Sequence, residues 1–201
     1  MKKVICLILL AGTILYGAGL MRDLETLQAN VIRLHVVGAS DEEADQHLKL
    51  QVKDAVNTYI REAVGKPETA AEAKLMLTQI LPQLQEVARQ VLREHGSDES
   101  VEITLERESF PRREYETFTL PAGVYESLRI RIGAAEGRNW WCVVFPSLCV
   151  PSAAEDLRDT AVGAGFSEEL CDTITGEEGM EIRFFLLDLL GQLQNLWFGK
   201  N

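Results

Sequence analysis

The chain has 201 residues, a formal charge of −11, an apolar share of 46% and a charged share of 25%. That is the composition of an ordinary folded protein rather than a fibrous or disordered one. An acidic balance with no basic cluster argues against nucleic-acid binding and against electrostatic attachment to anionic membranes.

Met1-Lys2-Lys3 is a short positive start. Val4 to Leu20 then runs seventeen residues without a charge, and Arg22 and Asp23 close the stretch. This is the layout of an export signal. Gly17-Ala18-Gly19 offers small residues for cleavage, and the apolar length also reaches the short limit for a spanning helix. Residues 1–20 are therefore expected to be a signal peptide or an N-terminal membrane anchor. Residues 21–201 are expected to form a single extracytoplasmic domain, since no internal repeat or low-complexity linker divides them.

Asn30 to Gly38 reads as a strand, with Val31, Ile32, Leu34, Val36 and Val37 apolar and mostly β-prone. Ser40-Asp41-Glu42-Glu43 has the spacing of a capping box. It predicts a helix from about Asp41 to about Val64, stopped by Gly65 and buried through Leu48, Val52, Ala55, Val56, Tyr59 and Ala63. A second helix is predicted from Pro67 to His95-Gly96, kinked or split at Pro82.

From Glu99 the period changes from helical to alternating. Val101, Ile103 and Leu105 share one face of a strand, and Glu114–Leu120 reads as a polar, edge-like strand. Leu120-Pro121-Ala122-Gly123 is a turn. Tyr125–Ile132 alternates cleanly, with Leu128, Ile130 and Ile132 inward. Gly133–Asn139 is a flexible loop. Trp140–Phe145 is an unbroken apolar run stopped by Pro146. It reads as the middle strand of the sheet, buried on both faces, with one tryptophan on each side.

Beyond Pro151 the pattern predicts a short helix over Ala153–Val162, a loop over Gly163–Gly179 and a strand over Glu181–Phe185. A closing helix over Leu186–Trp197 is predicted to bury Leu186, Leu189, Leu190, Leu193 and Trp197. The expected fold is α+β: a largely antiparallel or mixed sheet covered by two N-terminal helices and a C-terminal helix.

The sequence lacks a glycine-rich phosphate loop, a Gly-x-Ser-x-Gly elbow and a His-Glu-x-x-His helix. His35, His47 and His95 have no carboxylate or cysteine at ligand spacing, so each reads as a structural histidine. No catalytic residue, metal or cofactor is expected. Cys142, Cys149 and Cys171 read as buried thiols. A Cys142–Cys149 disulfide across the proline-containing turn is a second reading in an oxidising compartment, and a nucleophilic Cys142 a third.

Three segments together resemble one family. The first is Asn30-Val31-Ile32-Arg33-Leu34-His35-Val36-Val37-Gly38-Ala39-Ser40-Asp41, continued by Gln46-His47-Leu48-Lys49-Leu50-Gln51-Val52-Lys53-Asp54-Ala55-Val56. The second is Phe118-Thr119-Leu120-Pro121-Ala122-Gly123-Val124-Tyr125-Glu126-Ser127-Leu128-Arg129-Ile130. The third is Gly137-Arg138-Asn139-Trp140-Trp141-Cys142-Val143-Val144-Phe145-Pro146-Ser147-Leu148-Cys149. The pattern resembles the stage II sporulation protein R family of endospore-forming Firmicutes. Gly38-Ala39-Ser40-Asp41 departs from the Ala-Asn-Ser-Asp expected there. The similarity beyond Cys149 is confined to Arg183-Phe184-Phe185.

The resemblance implies a non-enzymatic signal. Such a protein is made in the forespore and exported into the space between forespore and mother cell, secreted or membrane-anchored. There it activates a membrane-embedded aspartic protease, which processes a mother-cell pro-sigma factor. Loops on a rigid sheet often carry recognition. The expected contact residues are accordingly Pro121, Gly123 and Tyr125 of one turn, and Arg138, Asn139 and Trp140 at the end of the Gly133–Asn139 loop. Core packing is the other reading for Trp140 and Trp141. The alternatives to signalling are an envelope-binding module and a secreted cysteine-dependent enzyme.

Overall fold

The computed structural model describes residues 1–146 and 154–198. In chain order the elements are α1 (Lys2–Asn30), β1 (Ile32–Val37), α2 (Glu43–Val64), α3 (Ala70–Glu94), β2 (Val101–Phe110), β3 (Arg113–Glu114), β4 (Thr119–Leu120), β5 (Gly123–Ile132), β6 (Asn139–Phe145), α4 (Ala154–Gly163), α5 (Glu168–Thr175) and α6 (Glu181–Phe198). The fold is α+β with a mixed sheet. The chain divides into two compact units that interleave along the sequence. One is Asn30–Glu108 with Tyr125–Ser152; the other is Met1–Ala29, Ser109–Val124 and Ala153–Asn201.

The first unit is built on the sheet β2-β5-β1-β6. β1 runs parallel to β5, with Leu34 opposite Leu128, and antiparallel to β6, with Leu34 opposite Cys142. All six residues of β1 are buried. This corrects the expectation for Trp140–Phe145. Among the described strands β6 closes the order rather than sitting in its middle, and Trp140 is 40% exposed. An unbroken apolar run reports that side chains on both faces find cover; it does not report a neighbour on both edges. The interior positions belong to β5 and β1, and the Arg33 and His35 of β1 make it look less buried than it is.

α2 and α3 pack against each other, and α2 also contacts β1. α2 buries Leu48, Val52, Val56, Ile60 and Val64. This is a straight four-residue row, in place of the predicted face that included Ala55, Tyr59 and Ala63. Gly65 follows with φ 64° and stops the helix. The expected capping box at Ser40 does not form, because α2 starts only at Glu43, after a Glu42 that makes no side-chain cap. Ser40 Oγ instead accepts from Glu42 N at 3.1 Å and donates to Asp45 Oδ2 at 2.6 Å.

The capping chemistry is found one helix later. Thr69 is the N-cap of α3; its hydroxyl accepts from Glu72 N at 3.2 Å, and the Glu72 carboxylate accepts from Glu68 N at 2.8 Å. Thr69→Ala is expected to cost about 1 kcal/mol, seen as a lower urea midpoint with an unchanged slope. An unchanged midpoint would show that this cap contributes nothing. α3 runs unbroken through Pro82. Gln85 ties it to the sheet, donating to the Val101 carbonyl and accepting from Ile103 N.

In the second unit Leu20, Leu24 and Leu27 of α1 are buried, while its residues from Val4 to Leu15 are exposed. The predicted polar strand over Glu114–Leu120 is a two-residue ladder, β3 with β4, around a turn. Residues 168–175, predicted as loop, form α5. Ser167 caps it by accepting from Leu170 N, two acids occupy its first turn, and Gly176 ends it in the left-handed region. Glu181–Phe185, predicted as a strand, is the first turn and a half of α6.

α6 inverts its expected orientation. It buries Phe184, Leu187, Asp188 and Gly191. Asp188 Oδ1 accepts from Ala122 N at 2.7 Å, Asn195 Nδ2 donates to the Phe110 carbonyl at 2.8 Å, and Gly191 lies directly against the Ala122 carbonyl. The residues predicted to face the core include Leu189, Leu193 and Trp197, which are exposed. Backbone groups of the 109–124 segment need polar partners, and the small and polar face of α6 supplies them.

Candidate partner-binding surface

Gly133–Asn139, predicted as a flexible loop, is tied to the β1–α2 turn. Glu136 N donates to the Ala39 carbonyl at 3.2 Å and Gly137 N to the Gly38 carbonyl at 3.0 Å. Arg138 N donates to Asp41 Oδ1 at 2.6 Å. Gly137 is required here, because a Cβ at that position would overlap the Ser40 carbonyl. Beneath the junction lies Lys49, 4% exposed. Its ammonium donates to the Arg138 carbonyl at 2.8 Å and to Gln46 Oε1 at 2.6 Å. Burial and the nearby Arg138 charge hold its pKa below the usual lysine value, against a weaker opposing pull from Asp41.

The backbone of Arg138 is thus used internally while its side chain stays 70% exposed, 3.5 Å from Asp41. Next along the strand, Trp140 projects to the face covered by α2, and the Lys53 ammonium sits 4.6 Å from its ring centre. Trp140 forms one wall of an open groove of about 520 Å³, completed by Lys53, Asn57, Arg61, Val64 and Pro67 among others. An exposed indole beside cationic side chains and an apolar floor suits recognition of a protein surface.

The opposite face of the sheet is polar. His35 Nδ1 lies 2.8 Å from Glu108 Oε1, and Nε2 lies 2.9 Å from Asn139 Oδ1. The imidazole stacks on Trp141, with centroids 3.8 Å apart and planes at 14°. The two tryptophans therefore do point to opposite faces. Arg129 Nε stands 3.7 Å from the same Glu108 oxygen, and Arg33, fully buried, places its guanidinium 5.1 Å from the Tyr125 ring centre. Burial pushes the Glu108 carboxyl up, but His35, Ser127 and Arg129 together outweigh it and hold the group below the ordinary glutamate range. Both His35 ring nitrogens and one ring face are occupied within the protein, so the imidazole acts as a structural element.

Cys142 is disulfide-bonded, so it is not the buried thiol first expected; Cys149, its expected partner, lies outside the described residues. Cys171 is a buried free thiol whose pKa is raised, chiefly by burial. Neither sulfur offers a thiolate at neutral pH. Among the described residues no three histidine, cysteine or carboxylate side chains converge as metal ligands.

Of the residues singled out in the sequence, the structure brings Arg138, Asn139 and Trp140 together at the surface, with Asn139 also reaching His35. Pro121, Gly123 and Tyr125 are buried. Sequence reasoning missed Lys53, Lys49 and the His35–Glu108 pair. Arg33 and His35 spaced two apart in an apolar strand were the available signal for a polar sheet face; nothing local marks Lys49 as buried.

These features define an α+β protein headed by an apolar helix that fits a signal peptide or anchor, with an exposed tryptophan groove and a buried histidine held on both ring nitrogens. The profile of the stage II sporulation protein R family (spore_II_R) matches residues 28–155. A curated relative, stage II sporulation protein R of Bacillus subtilis (strain 168), is 29% identical over 223 aligned residues, covering 96% of this chain and 99% of the relative. No solved structure matches. The chain belongs to the stage II sporulation protein R family.

Proposed function

We propose that this chain is an exported sporulation signal. It leaves the forespore through the segment that forms α1 and folds in the space between the two cells. There it activates a membrane-embedded aspartic protease that processes a mother-cell pro-sigma factor. Family membership across the sheet and both covering helices is the observation that supports the reading most directly. The ligand acts by binding the active state of the protease better than the inactive one. The contact surface is the Arg138–Trp140 corner and its adjoining groove.

The test is co-expression of this chain with the protease and its pro-sigma substrate in a non-sporulating host, read by blotting for the shortened substrate. Processing that requires this chain and its N-terminal segment supports the reading. No processing with all three proteins well expressed and exported refutes it. In the same assay Trp140→Ala and the pair Arg138→Ala/Asn139→Ala should each lower processing about tenfold, the size of a single interface anchor, with unchanged levels of exported protein. Full activity in both variants would remove this corner as the contact.

A further inference from the structure

α6 buries a mixed face of Phe184, Leu187, Asp188 and Gly191 and leaves a wholly apolar face uncovered. Ile182, Phe185, Leu189, Leu193, Leu196 and Trp197 are between 41% and 76% exposed. They recur at three- and four-residue spacing, so they form one stripe along the helix. The charges of α6 after Glu181 do not interrupt it. Arg183 turns to Asp23 and Glu169, and Asp188 to the Ala122 amide. An uncharged stripe of this length marks a surface that meets something apolar.

The position of α6 on α1 indicates what that is. Arg183, in the first turn of α6, pairs with Asp23. Asp23 stands three residues past Leu20, the end of the uncharged stretch, or about 4.5 Å along the helix. α1 is one continuous helix through this point, so the start of α6 is fixed at the level where the exposed apolar part of α1 ends. A second tie joins Gln28 and Gln194, whose amides exchange hydrogen bonds of 2.5 and 3.1 Å. The two ties lie about 7.5 Å apart along α1 but about 16.5 Å apart along α6 at 1.5 Å per residue. α6 therefore crosses α1 obliquely: it starts at the end of that segment and its far end lies about 7.5 Å further along α1, a rise that the ordinary tilt of a spanning helix brings level with the bilayer surface.

We propose that α6 lies on the membrane surface, with its Ile182–Trp197 stripe immersed at the boundary between lipid headgroups and acyl chains. Leucine with tryptophan and phenylalanine on a helix face is the composition that partitions there. With no cationic residue on the stripe, the attraction is apolar and does not require anionic lipid. This attachment survives cleavage of the N-terminal segment, so a processed chain stays on the membrane it has crossed. The inference rests on α1 meeting a bilayer and does not depend on protease activation.

The test reconstitutes the full chain into phosphatidylcholine vesicles brominated at a shallow acyl position and compares its tryptophan emission with that in unbrominated vesicles. The chain has three tryptophans, so immersion of Trp197 is expected to quench roughly a third of the signal. That loss should vanish in Trp197→Phe, and in Leu189→Glu/Leu193→Glu with the far-ultraviolet circular dichroism unchanged. Equal emission in both vesicle types overturns the proposal, as does quenching that Trp197→Phe leaves in place. A dimer in the wild type that Leu189→Glu/Leu193→Glu splits would place a second copy on the stripe and overturn it as well.

Discussion

Gly191→Val is expected to prevent stable folding of the unit that contains α6. A Cβ at residue 191 would overlap the Ala122 carbonyl oxygen and carbon and approach Gly123 N. These are backbone atoms that cannot swing aside like the end of a long side chain. Moving α6 outward would break the Asp188–Ala122 and Asn195–Phe110 hydrogen bonds, leaving buried groups unsatisfied. Overlap and lost bonds together should cost about 3 kcal/mol or more. Gly163→Ala is the control. Nothing lies within 4 Å of a Cβ there, and alanine in a helix is favoured over glycine by up to about 1 kcal/mol. Thermal melts of the two variants should move in opposite directions. A Gly191→Val variant that melts with the wild type would mean that α6 does not seat on the 109–124 segment as described.

Glu108→Gln is expected to lower stability by about 2 kcal/mol near neutral pH, the scale of a hydrogen bond to a charged group. The loss should itself depend on pH. The Glu108 carboxyl is held below its unfolded value of 4.5 by His35, Ser127 and Arg129, despite burial. Between the folded and unfolded values the folded state binds fewer protons, so stability rises with pH across that window. The contribution is therefore fully present above about pH 4.5 and fades as the pH falls through the lower folded value. Urea midpoints of wild type and variant should converge on acidification. A constant gap from pH 7 to pH 3 would show that the carboxylate charge contributes nothing.

Both predictions rest on features the sequence conveyed unevenly. The existence of β1, α2, α3 and β5 was legible from their apolar patterns, and Gly65 and Gly96 mark the helix ends. The position of β6 was not, since strand order depends on pairings between distant segments that leave no local trace. Ser167-Glu168-Glu169 and Gly176 are clear start and stop signals for α5, but eight residues give too little periodicity to stand out. α6 was misread for a physical reason. Its leucines form the stronger face, but the 109–124 backbone needs polar partners, and Asp188 and Asn195 supply them from the other side of the helix. Arg138, Asn139 and Trp140 were singled out through loop position and aromatic content, and the structure places them together at the surface. Lys53 and the groove beside it required the fold, because they lie on α2.

The order of β1 and its partners has a consequence for the timing of folding. Ile32 pairs with Glu126 and Leu34 with Cys142, so the interior strand β1 is made early and completed late. The other unit likewise draws on the first, middle and last parts of the chain. A polypeptide threaded across a membrane from its N-terminus could not close either sheet or helix cluster until most of its length had emerged. Pairings this far apart in sequence also form slowly. The topology thus defers assembly of either unit until the distant segments that complete it are available.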